Sequence, residues 1–220
     1  AVTSTFIAGL ELAKKGKGRL IGSLTQMQTI RLGKRYENRA PLIKDFVPLA
    51  DISDLVFGGW DLFPDNMYEA ALKAGVLERW QLEPVRGKLE SVRPMPAVFD
   101  PSYLRNLKAS HVKKAETKWA LAQLVMQDIV AFKKKTGAER LVMLWCGSTE
   151  ILPADSPVHE SLAALERGLR ENHPAIPPSM IYAYAALKLG IPYANGAPNL
   201  SSHVPAMVEL AQMTRATIAG

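Results

Sequence analysis

The chain has 220 residues, with 48% hydrophobic and 22% charged side chains, enough for one sizeable α/β domain or two small ones, and these proportions exclude a disordered or collagen-like polymer. Its formal net charge of +6 suggests some attraction to anions. The basic residues are scattered in short groups such as Lys113-Lys114 and Lys133-Lys134-Lys135, and no reader motif accompanies them, so nucleic acid is not expected as a partner. In chain order, "AVTSTFIAGLELAKKG" spaces Phe6, Ile7 and Leu10 as a helix does, with Gly16 as its stop. "RLIGSL" at 19–24 and "DLVFGG" at 54–59 read as short β-type runs, and "SLTQMQTIRLG" as an exposed strand with an unusual polar run.

"FPDNMYEAALKAGVLERW" contains a helix, with Pro64 suited to its first turn and Gly75 near its end. The strongest helix is "TKWALAQLVMQDIVAFKKKTG": Trp119, Leu121, Leu124, Val125, Ile129 and Phe132 form one stripe, Thr117 can cap it and Gly137 can end it. "RLVMLW" follows as the continuous apolar run of a strand buried on both faces. Further helices fit "SPVHESLAALERGLREN", "PPSMIYAYAALKLG" and "HVPAMVELAQM", with "IPYA" as a strand among them. Strands alternating with helices of this length predict an α/β fold with parallel pairing through right-handed crossovers.

No apolar run approaches the roughly eighteen residues of a membrane span, and the N-terminus lacks the order of a secretory signal, so no membrane partner is expected. The single cysteine, Cys146, suits a reducing compartment and a cytoplasmic setting. His111, His159, His173 and His203 show no metal-ligand spacing, so surface or capping roles are expected and no metal site is assigned. Both ends read as cut: a helix opens the chain without a preceding element, and "RATIAG" begins a β-rich run at its close. A fragment of a longer protein is the expectation.

Chemistry gathers just past the strand ends. "LVFGGWD", "LVMLWCGSTE" and "IPYANGAPN" each run apolar, turn small, then offer a hydroxyl, amide or carboxylate. In an open parallel sheet ligands lie beyond the carboxyl ends of the strands, where small residues admit them to the backbone and N–H groups entering helices suit phosphate. Three such ends predict one extended ligand of dinucleotide type. Alternatives stand beside this reading: Gly58-Gly59 as a plain turn, Asp61 as a helix cap, and Cys146 as a buried small residue rather than a nucleophile.

"GSLTQMQTIRLGKR", "NRAPLIKDFVPLADISDLVFGGWDLFPDN", "VRPMPAVFDPSYL", "LVMLWCGSTE", "PPSMIYAYAALKLGIPYANGAPNL" and the closing "IAG" stand in the order found in myo-inositol-phosphate synthases. The chain resembles that family, its bacterial branch above all, over nearly all its length. The resemblance implies a Rossmann-like NAD-binding domain over 1–220 with a mostly parallel sheet, incomplete at both ends. A catalytic and oligomerisation domain would follow residue 220. It also implies an NAD-dependent isomerase converting D-glucose 6-phosphate to a myo-inositol monophosphate, by oxidation at C5, aldol closure of C6 onto C1, and return of the hydride. A homotetramer is expected for the full-length protein.

Carried over by position, the resemblance implies that Val2, Thr3 and Ser4 lie near the pyrophosphate and that Asp61 holds the adenosine ribose. Ala97 and Val98 would line the adenine side; Cys146, Gly147, Ser148 and Thr149 would form a loop beside the cofactor; Gly196 and Ala197 would meet it through the backbone. Asp61 departs from the usual dinucleotide fingerprint, whose acid follows the glycines by about twenty residues. Eukaryotic members carry Ser-Ile in place of Ala97-Val98 and Thr-Ala-Asn-Thr in place of Cys146 to Thr149. No catalytic residue is assigned within the 220. Alternatives are an inactive NAD-binding fragment of the same enzyme, or another Rossmann-type dehydrogenase with an exchanging cofactor.

Overall fold

The computed structural model describes residues 1–220. They fall into two compact units, residues 1–57 with 65–93, and residues 58–64 with 94–220.

The first unit is helical: α1 (Val2–Lys14), α2 (Leu24–Met27), α3 (Ile43–Phe46), α4 (Met67–Ala74), α5 (Arg79–Leu82) and α6 (Arg86–Ser91). Its small core joins Ile7 and Ala8 of α1 to Met67, Tyr68 and Ala71 of α4 and to Leu82, Val85 and Leu89. Helix α4 begins at a capping box. Asn66 Oδ1 accepts from the N–H groups of Tyr68 and Glu69 at 3.0 Å each, and the Glu69 carboxylate accepts from Asn66 N–H at 2.9 Å. This reciprocal pairing satisfies donors that Pro64 could not, which is why the helix starts beyond the proline rather than at it.

The runs at 19–24 and 54–59 are not strands. Around Leu20 the chain turns, with Ser23 N–H donating to the Leu20 carbonyl at 2.8 Å, and enters α2. The polar run at 23–33 forms that helix and one antiparallel bridge, Thr29 to Leu42. Before residue 55, Asp51 Oδ1 accepts from Ser53 N–H at 2.7 Å and sets a 3₁₀ turn over 52–54. In both places local hydrogen bonds close the backbone on itself, and only at Gly59, whose carbonyl accepts from Met95 N–H at 2.8 Å, does the second run reach a neighbouring strand.

The second unit carries every strand: β1 (Trp60–Asp61), β2 (Met95–Pro96), β3 (Met143–Trp145), β4 (Tyr193–Asn195) and β5 (Ile218–Ala219). Its helices are α7 (Lys118–Thr136), α8 (Leu162–Arg170), α9 (Pro178–Lys188) and α10 (Pro205–Thr214). Strand β1 pairs with β2, and β3 with β4 and β5, all in parallel, with Asp61 opposite Pro96 and Trp145 opposite Asn195. Parallel pairing agrees with the alternating pattern of the sequence, although the ladder forms two pieces rather than one continuous sheet.

The core of this unit is α9, whose sequence is apolar all round; residues 176–187 are buried without interruption. Such a helix can keep polar atoms only where they find partners. The Tyr182 hydroxyl accepts from Val98 N–H at 2.8 Å, and the Tyr184 hydroxyl donates to Glu166 at 2.8 Å. Around it pack Val125 and Ile129 of α7, Leu165 and Leu169 of α8, and Met207 and Leu210 of α10.

Helix α7 starts where expected, with Thr117 Oγ1 accepting from Ala120 N–H at 3.1 Å, and ends at Gly137 in a left-handed conformation, φ 71°. Its buried face is narrower than the six-residue stripe: Ala122, Val125 and Ile129 are buried, while Phe132 lies against Gly58. A Cβ on Gly58 would stand 2.6 Å from the Phe132 ring, so this glycine serves helix packing rather than a bare turn. The run at 140–145 is a strand over three residues only and is not buried on both faces, since Val142 is 71% and Leu144 59% exposed. No element of the chain covers that side.

His159 is likewise neither at the surface nor capping a helix. It is buried, with Nε2 2.8 Å from the Ala175 carbonyl.

Candidate cofactor site

Parallel pairing places the carboxyl ends of β1 and β2 side by side, and those of β3 and β4 likewise. Residues 61, 97 and 98 therefore form one group and residues 146–149, 196 and 197 another. The strands that lead into both groups meet one side chain. Tyr182 packs its ring on Trp60 and Trp145, with centroids 5.1 and 5.4 Å away, while its hydroxyl accepts from Val98 N–H. Burial pushes the Tyr182 phenol above its ordinary range, so it stays neutral in this apolar setting.

Strand β1 is pinned from α7. Trp60 Nε1 donates to Asp128 at 2.7 Å, and the shielded Lys113 ammonium stands 2.6 Å from the same carboxylate oxygen. Immediately after Trp60, the exposed Asp61 uses Oδ1 to accept from Phe63 N–H at 3.1 Å. It is thus a turn former but no helix cap; the cap falls to Asn66. Asp61 Oδ2 accepts no hydrogen bond from the protein, and a Cβ on Gly59 would meet nothing within 4 Å. A free carboxylate oxygen in open space at a strand end is the donor-seeking group that a ribose diol requires.

Ala97 and Val98 are buried, and Ala97 is fixed on both sides, its N–H to the His111 carbonyl at 3.0 Å and its carbonyl to Lys113 N–H at 2.8 Å. Both side chains are apolar and offer no hydrogen bond. At β3, Cys146 is half-buried and Gly147, Ser148 and Thr149 are exposed. At β4, Gly196 N–H donates to the Trp145 carbonyl at 2.8 Å, and a Cβ there would lie 2.9 Å from that oxygen. Gly196 is small because the β3 backbone is close, a reason internal to the protein. Ala197 N–H donates to Asn195 Oδ1 at 3.2 Å.

Val2, Thr3 and Ser4 are in the first unit, at the start of α1. Val2 and Thr3 are exposed. Ser4 is buried, and its hydroxyl donates to the Ala1 carbonyl at 3.0 Å. A first helical turn collects N–H groups that suit a pyrophosphate.

Sequence reasoning missed a buried polar cluster behind these loops. Glu150, the residue after Thr149, is 6% exposed. It accepts from Ser179 N–H at 2.9 Å and from the Ser179 hydroxyl, and Asn199 Nδ2 lies 3.4 Å away. Burial raises its carboxyl to about 7 against the opposing pull of the Ser179 hydrogen bonds. The signal was present in "WCGSTE" and "APN", but a carboxylate closing a polar run reads as solvent-facing unless its burial is known.

Short parallel strands alternating with helices, with small residues at their carboxyl ends, define a Rossmann-like domain. A family model for an NAD-binding domain, described as myo-inositol-1-phosphate synthase, matches residues 1–220. The chain belongs to that family, and NAD is its cofactor. It is 46% identical to inositol-3-phosphate synthase 1 of Bacteroides thetaiotaomicron over all of its own length and 51% of that protein. It is 30% identical to the inositol-3-phosphate synthase of Saccharomyces cerevisiae over 90% of this chain and 40% of the other. The crystal structure of inositol-3-phosphate synthase from Caenorhabditis elegans superposes with a TM-score of 0.87 at 26% identity, covering 98% of this chain and 45% of that one. The chain spans about half the length of the curated relatives it matches.

Proposed function

We propose that these 220 residues are the cofactor-binding portion of an enzyme that converts D-glucose 6-phosphate to a myo-inositol monophosphate. The observation that carries this reading is Asp61: an exposed carboxylate at the end of a parallel strand, with one oxygen locked in a turn and the other free. When bound, NAD supplies reversible hydride acceptance.

The chain's own residues bind and orient. In the second unit Asp61 Oδ2 accepts from the ribose hydroxyls, and Ala97 and Val98 give the adenine side an apolar surface; in the first unit, taken by itself, the first turn of α1 at Val2, Thr3 and Ser4 offers the N–H groups that suit a pyrophosphate. The loop Cys146 to Thr149 flanks the cofactor. With the Gly196 and Ala197 N–H groups engaged inside the protein, their contact falls to the Gly196 carbonyl, an acceptor for an amide N–H. Side-chain hydrogen bonds at 97 and 98 are absent, as two apolar residues require.

The aldol chemistry and the oligomer contacts of a homotetramer are assigned to residues outside these 220, in keeping with relatives about twice as long. A cytoplasmic setting belongs to the same proposal and is supported by the small phosphorylated sugar it assigns as substrate. No helix is long and apolar enough to cross a membrane.

The test is to assay the complete protein with glucose 6-phosphate and NAD in catalytic amount. The expected result is an inositol monophosphate with no net NADH. Accumulating NADH with no inositol phosphate would replace this reading with an ordinary dehydrogenase.

A further inference from the structure

Three separate pieces of chain converge on Glu150. The first is its own loop, which leaves β3 through residues 146–149. The second is the amino end of α9: Ser179 N–H donates to Glu150 Oε1 at 2.9 Å, and the Ser179 hydroxyl donates to Oε2. The third is the loop leaving β4. Asn199 Oδ1 accepts from Glu150 N–H at 3.0 Å, while Asn199 Nδ2 lies 3.4 Å from Glu150 Oε2 and 3.5 Å from the Ser148 carbonyl. Asn195 Nδ2 donates to the Asn199 carbonyl at 2.8 Å and closes the β4 loop on itself. Glu150, Ser179 and Asn199 are all buried.

A carboxylate is costly to bury without compensation, and nothing in the packing demands one here. What it provides is geometry. Its two oxygens bind the first turn of the buried helix α9, its N–H donates to Asn199 Oδ1 in the other loop, and the Nδ2 end of the same amide lies near its Oε2 and the Ser148 carbonyl. The β3 and β4 loops are thereby held at a fixed separation by a helix that cannot move without disrupting the core.

We propose that Glu150 is a positioning residue for the cofactor, locking loop 146–149 to loop 196–199 against the start of α9 so that both present a preformed surface to NAD. This rests on the reading above that the two loops flank NAD. Glu150 itself does not touch the cofactor; it removes the freedom that the loops would otherwise lose on binding.

The experiment measures the NAD dissociation constant, the KM for glucose 6-phosphate and the thermal midpoint of the complete protein and of Glu150→Ala, Glu150→Gln and Asn199→Ala. Glu150→Ala is expected to weaken NAD about tenfold with KM for the sugar phosphate within about twofold, the split that pre-organisation of the cofactor loops requires. Glu150→Gln, which keeps an acceptor for Ser179 N–H and a group that can pair with its hydroxyl, should recover most of that loss, and Asn199→Ala should fall between. A folded Glu150→Ala protein with wild-type NAD affinity overturns the proposal. If that variant does not fold, wild-type NAD affinity in Asn199→Ala overturns it instead. Failure of the wild-type protein to bind NAD would bring down the cofactor-site reading as well, so the two failures are told apart.

Discussion

Residues 176–187 are buried without a break, whereas no residue from Leu12 to Phe57 is fully buried. The first stretch needs few local signals, because packing on all sides decides its helix and its polar atoms must find partners. The second is decided by turns, caps and short hydrogen bonds within a few residues, with Ile21 76% exposed at its tip. Stability should therefore concentrate around α9, and substitutions in the long exposed segment should be tolerated.

Truncating the core is the strongest way to test that contrast. Leu169→Ala or Met207→Ala, both at fully buried positions, should cost about 2 to 5 kcal/mol in denaturant unfolding, by lost burial plus a cavity. A cost under about 1 kcal/mol would remove α9's neighbourhood from its central place.

Glu150 sharpens the comparison through pH. Its folded pKa of about 7 lies above the ordinary 4.5 because burial disfavours the charge, so the folded state binds the proton more tightly. Its contribution is fully present below about pH 4.5 and is lost as pH rises through 7, a change of about 3 kcal/mol, since each tenfold difference in proton affinity is worth about 1.4 kcal/mol. Unfolding free energies of the wild type and Glu150→Gln, compared at pH 5 and pH 8, should show the variant gaining relative stability at the higher pH. A constant difference would contradict the assignment.

Tyr182→Phe leaves Val98 N–H without its acceptor and should cost about 1 to 3 kcal/mol, the usual penalty for an unpaired buried donor. At the small end, Ile21→Ala should change stability by less than about 0.5 kcal/mol, as surface substitutions do. A larger loss would show that the exposed segment carries packing of its own.

What could be read from the sequence follows the same division. Periodicity locates α7, α9 and α10, and the capping signals at Thr117 and Gly137 are met, because each lies in a helix long enough for the pattern to accumulate. It misplaces strands at 19–24 and 54–59, where three apolar residues in each run are too few to form a ladder of their own and a turn or an Asp51 cap takes the backbone instead. In the site, Asp61 is legible from its place after an apolar run. Its use of one oxygen in the turn is not, since that depends on where Phe63 N–H points. The small residues after β4 suggest ligand access; for Gly196 the nearer cause is the Trp145 carbonyl. The Glu150 cluster joins residues 29 and 49 positions apart in the chain, a distance over which no local pattern carries information.

The ribose contact assigned to Asp61 is tested most directly by NAD titration of the complete protein beside its Asp61→Ala variant. Loss of the carboxylate should weaken NAD by about 1 to 3 kcal/mol, the scale of a charge-assisted hydrogen bond, while loss of the exposed turn hydrogen bond from Phe63 N–H should lower the unfolding free energy by no more than about 1 kcal/mol. Equal NAD affinity in the two proteins would contradict the placement of the ribose at the end of β1.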